Sequence, residues 1–71
     1  MQELILTAEL IEEEEGGYTV YCPELDIYTQ GDNEEECMTN IKEAIELHLE
    51  EIGKENIVLK KIIRKELKLA I

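Results

Sequence analysis

The sequence predicts an α+β domain: an antiparallel sheet of three to four strands with one main helix on one face, in the order β-β-β-α-β. Three observations carry that expectation. Residues 3–11 alternate between apolar and polar, and two further short segments rich in Tyr, Val and Thr are bounded by glycines and a proline. At Gly31-Asp32-Asn33 the period then changes from 2 to about 3.6, which marks the passage from strand to helix.

From Glu3 to Ile11, Leu4, Leu6, Ala8 and Leu10 fall on one face and Ile5, Thr7, Glu9 and Ile11 on the other, the alternation of a half-buried strand. The run Glu12-Glu13-Glu14-Glu15-Gly16-Gly17 cannot enter a core, and its glycines accept positive φ, so it forms a hairpin turn. Tyr18, Val20 and Cys22 then share a face opposite Thr19 and Tyr21. Pro23 has no N–H for a ladder and ends that strand or sets it at an edge. Glu24-Leu25-Asp26 makes the next turn, and a third strand runs through Ile27, Tyr28, Thr29 and Gln30 to Gly31. Asp32 or Asn33 serves as the helix N-cap, with Glu35 at capping-box spacing from Asp32. Glu34, Glu35 and Glu36 crowd the first turn, where the helix dipole favours negative charge. Cys37, Met38, Ile41, Ala44, Ile45, His48, Leu49 and Ile52 form the apolar stripe, and Gly53 supplies the C-cap. One helix covers one face of such a sheet, which leaves the face bearing Tyr21 and Tyr28 to solvent or to a partner. Beyond Gly53, Ile57, Val58, Leu59, Ile62 and Ile63 fit a buried helical turn and a strand equally well. Leu67, Leu69 and Ile71 alternate with polar or small neighbours, so a final strand paired with the first is expected.

The 71 residues are expected to form a single domain, 1–71, without linker or repeat. A domain this small buries only about 60% of the surface its unfolded chain exposes, so a homodimer or higher oligomer is expected. No apolar run reaches the roughly 18 residues needed to cross a membrane. The amino terminus also lacks the basic-then-apolar layout of a secretory signal, and the expectation is a cytoplasmic protein with no membrane contact. The net charge of -11 is segregated. Residues 1–53 hold sixteen acidic side chains against one basic, Lys42, a net of -15; residues 54–71 hold six basic against two acidic, a net of +4. An anionic body repels phosphate backbones and speeds encounter with basic partners. Direct binding to nucleic acid is therefore not expected, and the basic tail with Lys60, Lys61, Arg64, Lys65 and Lys68 serves to offset the acidic helix. Cys22 and Cys37 lack CxxC spacing and are expected to be small apolar core residues.

Three stretches of residues carry a family resemblance. Gly17-Tyr18-x-Val20-x-x-Pro23-Glu24-Leu25, Thr29-x-Gly31-Asp32-x-x-Glu35-Glu36 and Asn40-x-x-Glu43-Ala44-Ile45 are similar to the HicB family of antitoxins and its stand-alone relatives. The match covers most of residues 3–52. The resemblance implies a partial ribonuclease H-like fold, and the role of binding and neutralising a small basic HicA-type toxin, an mRNA-cleaving ribonuclease. Asp26 stands where many members have Gly, Asn33 where they have Thr or Ser, and Cys37 where they have Ala, each compatible with a turn, a cap and a small core position. Full-length members append a DNA-binding module. Only 18 residues follow Gly53, too few for a helix-turn-helix, so no appended DNA-binding domain and no autoregulation are expected.

Such a role needs no catalytic group, cofactor or metal. An acidic surface can cover a basic RNA-binding face and compete with phosphate. The candidate partner-binding residues are Glu34, Glu43, Glu46, Glu50 and Glu51 on the exposed helix face, with Leu47 as an apolar anchor among them. Tyr21 and Tyr28 are candidate dimer or toxin anchors, since Tyr is enriched at interfaces. His48 has only Ala44, Ile45 and Ile52 for neighbours on its stripe and is expected to be a partly buried helix residue. An enzyme of the ribonuclease H kind needs clustered carboxylates to bind two metals. Asp26 and Asp32 lie in turns and Glu9 is a lone strand acid, so no such cluster is expected. The alternative to the antitoxin is a non-catalytic oligomeric binding domain of the same fold, with the open sheet face as its interface.

Overall fold

A computed structural model describes residues 3–71. Three antiparallel strands, β1 (Glu9–Glu12), β2 (Tyr18–Cys22) and β3 (Ile27–Gly31), form a meander in that spatial order, followed by one helix, α1 (Glu34–Ile52), and a 3-10 turn over Lys54–Asn56. The protein is therefore α+β, with β2 central and α1 across the inner sheet face. Register follows the apolar alternation: Leu10 sits opposite Val20, and Val20 opposite Thr29, so their side chains share the inner face. Val20 and Cys22 of β2 and Cys37 and Ile41 of α1 are the fully enclosed residues. Leu6, Ala8, Leu10, Tyr18, Leu25, Ile27 and Ile45 pack around them.

The hairpin after β1 closes with Glu13 N–H donating to the Gly17 carbonyl at 3.0 Å and Gly16 N–H to the Glu13 carbonyl at 3.1 Å. Gly16 and Gly17 take φ of 105° and 79°, the left-handed region that favours glycine. Gly31 serves a different purpose, because its φ is ordinary and what it lacks is room. A Cβ there would lie 2.9 Å from the Cys37 backbone nitrogen and 3.2 Å from the Glu36 carbonyl carbon. The end of β3 is pressed against the first turn of α1, and only two residues, Asp32 and Asn33, separate the elements. Asn33 is the N-cap, its Oδ1 accepting from the Glu36 N–H at 2.8 Å, and Gly53 is the C-cap, its N–H donating to the Leu49 carbonyl at 3.0 Å.

The structure corrects four expectations. The first strand begins at Glu9 rather than Glu3. Two residues beyond the Glu9–Tyr21 pair, Thr7 faces Pro23, which has no N–H to return, and the ladder stops. Leu6 and Ala8 still pack inward while Ile5 is 90% exposed, so the alternation survives where the ladder does not. The reciprocal cap is shifted by one residue: Asn33 caps, and the Glu36 carboxylate, not that of Glu35, accepts from the Asp32 N–H at 3.2 Å. Met38, placed in the apolar stripe, is half exposed, because nothing covers that flank of the helix. The fourth strand is absent: residues 57–71 carry no strand among the described residues, and the order is β-β-β-α. The stretch of the first strand that a closing strand would have extended lies outside the ladder, and the tail meets the body by one backbone hydrogen bond, Lys60 N–H to the Glu24 carbonyl, and by side-chain ion pairs.

The tail leaves the domain extended. The radius of gyration is 14.4 Å, against about 11 Å for a compact chain of this length. Shortening the core tests its economy: Ile41→Ala should cost about 2–5 kcal/mol, a large share of the few kcal/mol available to a small domain. Gly31→Ala, which adds a methyl group against backbone, should cost about 1–3 kcal/mol, both variants being measured against the parent by urea titration. A Gly31→Ala protein as stable as the parent would show that β3 and α1 are not in close contact.

Candidate functional site

The exposed face of α1 is built by its buried one. Cys37 and Ile41 are sealed against the sheet, and Asn40 Nδ2 donates to the Gln30 carbonyl at 2.9 Å, fixing the helix to the edge of β3. With that orientation, Glu43, Glu46, Leu47 and Glu50 at i, i+3, i+4 and i+7 share one solvent-facing surface, and Glu51 is exposed beside them. Leu47 is 61% exposed in their midst. Among the described residues the two ion pairs are Lys60–Asp26 at 3.8 Å and Arg64–Glu9 at 3.3 Å, neither on the helix. The helix carboxylates are therefore unpaired among the described residues and, with Lys42 as the one cation of the helix, present net negative charge. Glu34 is exposed but lies in the first turn, apart from this cluster, where it serves the helix dipole.

The two tyrosines form a second surface on the opposite side of the sheet. Tyr21 and Tyr28 are directly paired across β2 and β3, and Tyr28 is 71% exposed. The Tyr21 hydroxyl donates to Asp26 Oδ1 at 2.7 Å, and the carboxylate that accepts this bond holds the phenol pKa above its usual value. Asp26 turns the chain with φ of 55°, a conformation that Asp tolerates and Gly adopts freely. The eight sequence candidates thus divide between the exposed helix face, the first turn of α1 and the outer sheet face, and do not make one site.

A third feature went unread in the sequence. Where the β1–β2 ladder fails, the Glu24 side chain takes its place: Thr7 N–H donates to Oε1 at 2.9 Å and Thr7 Oγ1–H to Oε2 at 2.5 Å. The Glu24 carbonyl in turn accepts from the Lys60 N–H at 2.9 Å, so one residue joins the amino-terminal segment, the β2–β3 turn and the tail. The two Thr7 bonds hold the carboxyl well below its ordinary value of 4.5, at about 2. The only signal was Pro23-Glu24 at the end of one strand, level with a Thr on its neighbour.

The remaining reactive groups are occupied structurally. Cys22 and Cys37 are free, buried thiols, and burial chiefly raises the pKa of both, so they remain protonated. His48 is half-buried in α1. Glu9 and Asp26 are engaged by Arg64 and by Tyr21 and Lys60 respectively. Among the described residues no three His, Cys, Asp or Glu side chains are grouped to hold a metal ion, and no helix is long and apolar enough to cross a membrane.

A three-stranded meander under one helix, with an exposed row of acids on that helix, defines a small α+β protein. The chain belongs to the UPF0150 family. It is 40% identical over 62 residues to a UPF0150 protein of Synechocystis sp. (strain ATCC 27184 / PCC 6803 / Kazusa), an alignment spanning 76% of this chain and 78% of that protein. No family model and no solved structure matches the chain.

The Glu24 clasp has a definite pH signature. Because its folded pKa is depressed, the bonds to Thr7 contribute stability fully present above about 4.5 and lost as the pH falls towards about 2. Glu24→Gln should therefore be less stable than the parent at neutral pH, with the difference closing over that acid range in thermal melts. A stability difference that does not vary between neutral pH and pH 2 would rule the clasp out.

Proposed function

We propose that the chain is a HicB-like antitoxin, a reduced form of the ribonuclease H-like arrangement, that binds and neutralises a small basic HicA-type mRNA-cleaving toxin. It acts by occlusion and has no catalytic activity, cofactor or nucleic-acid contact of its own. The observation that carries this reading is the net acidic face Glu43, Glu46 and Glu50, none of them in an ion pair among the described residues, around the exposed Leu47. A ribonuclease must present cationic side chains to phosphate, and a rigid row of carboxylates competes for those same side chains. Long-range attraction speeds the encounter, and Leu47 provides apolar area to be dehydrated at the centre of the contact. Membership of the UPF0150 family and the motifs running from Gly17 to Ile45 support the same reading.

A second reading, a self-associating binding domain with no toxin partner, is favoured by the paired tyrosines on the open sheet face. Salt separates the two. Capture of a basic protein weakens steeply with ionic strength, while apolar self-association does not.

The test is to express the small basic protein encoded beside this one, with and without it, and to measure growth and co-purification. Growth arrest relieved by this chain, together with a stable complex, is the expected result. Loss of both would overturn the proposal. In the complex, Glu43→Lys, Glu46→Lys and Glu50→Lys combined should slow association about tenfold or more at low salt, with the difference shrinking at high salt. Unchanged association kinetics would move the contact to the Tyr21–Tyr28 face.

A further inference from the structure

Residues 57–71 form an extended arm that the proposed function does not use. Among the described residues its single backbone hydrogen bond is that from the Lys60 N–H to the Glu24 carbonyl. The remaining amides and carbonyls are free to form a ladder. Leu67, Leu69 and Ile71 occur at strand spacing and are 85%, 77% and 119% exposed, so the body of the same chain does not cover them. A strand pattern with apolar side chains and open backbone groups is a template for pairing.

Three further observations identify what it pairs with. The first is the free edge: β1 is the terminal strand of the sheet and, among the described residues, has no hydrogen-bonded strand on its outer side, the arm of the same chain reaching it by the Arg64–Glu9 side-chain pair. Beside that edge, Leu6, Ala8, Met38, Ile41 and Ile45 line an open groove between the amino-terminal segment and α1. The second is charge. The arm from Lys60 to Lys68 carries Lys60, Lys61, Arg64, Lys65 and Lys68 against the single acid Glu66, while β1 and its turn carry Glu9, Glu12, Glu13, Glu14 and Glu15. The third is area. The chain exposes 6440 Å², whereas a compact protein of 8.2 kDa exposes about 4500 Å². An excess of roughly 1900 Å² per chain is what each member of a stable, obligate pair buries.

We propose that two copies of the chain exchange arms, with residues 65–71 of each adding as a fourth strand to the outer edge of β1 in the other. Main-chain bonds supply the ladder, Leu67, Leu69 and Ile71 cover the groove, and the arm's lysines lie along the glutamates of β1 and its turn. The strand order becomes arm-β1-β2-β3. The pairing joins the strands that the sequence pattern matched, but between copies. Of the helix face, only Glu46 borders the covered groove while Glu43, Leu47 and Glu50 lie outside it, so the exchange stands independently of the antitoxin proposal.

The test is the oligomeric state of the full chain by sedimentation equilibrium. A dimer is expected, and Leu67→Asp with Leu69→Asp should weaken it on the order of 100-fold without loss of circular dichroism from α1. A charge swap separates exchange from folding back on the same chain. Glu12→Lys/Glu13→Lys in one variant and Lys65→Glu/Lys68→Glu in another should each dimerise poorly alone. An equal mixture should form a heterodimer, which holds one native and one inverted contact. A monomeric parent, a dimer indifferent to the Leu67 and Leu69 substitutions, or a mixture that stays as poorly associated as its components would each overturn the proposal.

Discussion

The closeness of α1 to the sheet is the constraint on which the rest of this small structure depends. Gly31 has no side chain, Cys22 and Cys37 are short, and only Asp32 and Asn33 intervene between β3 and the helix, so the two layers meet with almost nothing between them. Close layers need small residues, and small residues make a thin core. Among the described residues, Val20, Cys22, Cys37 and Ile41, with Pro23 beside them, are the apolar residues enclosed. A core of that size stabilises a domain weakly, and the cost appears on the surface, where Met38, Leu4 and the tail remain uncovered. The thin core and the large exposed area have the same origin.

The second organising fact is where the β ladder stops. Pro23 withholds an N–H just where the first strand would extend towards Thr7, and Glu24 supplies a carboxylate in compensation. A side-chain clasp holds a segment without making it a strand. The amino-terminal residues before Glu9 therefore pack with strand periodicity but leave the edge short, and the tail is tied at Lys60 and at Arg64 while its last residues run free. One proline thus limits both the length of β1 and the way the carboxy-terminal segment meets it.

These facts also explain what the amino-acid order disclosed. The hairpin glycines, the alternation of β2 and the acidic capped helix are local patterns, and each appears where its residues place it. Cys22 and Cys37 as core, Tyr21 and Tyr28 on one outer face and the exposed row of helix glutamates follow from the same periodicities. Asp32 and Asn33 are chemically near-equivalent as caps, the backbone geometry at Asn33 chooses between them, and the carboxylate that answers is accordingly that of Glu36 and not Glu35. The Glu24 clasp was illegible because its partners, Thr7 and Lys60, are distant in sequence and no periodicity links them. The closing strand was inferred from an alternation that is real, but alternation specifies a face to be covered, not which molecule covers it.

Charge segregation gives this arrangement its logic. Acids on the helix form no ion pair among the described residues, with Lys42 and Lys54 the cations in their neighbourhood, whereas Glu9 and Asp26 on the sheet side are met by Arg64 and Lys60 of the tail. Two of the chain's seven cations, Lys60 and Arg64, thus tie the tail to the sheet side through exposed pairs of modest strength. What remains unneutralised is the outward helix face, and at ordinary ionic strength only charges within about 8 Å sense one another strongly. A basic partner approaching that face meets Glu43, Glu46 and Glu50 without interference from the arm. In a chain whose core is too thin to specify much by packing, the placement of a handful of lysines and arginines separates the surface that holds the fold together from the surface left to recognise something else.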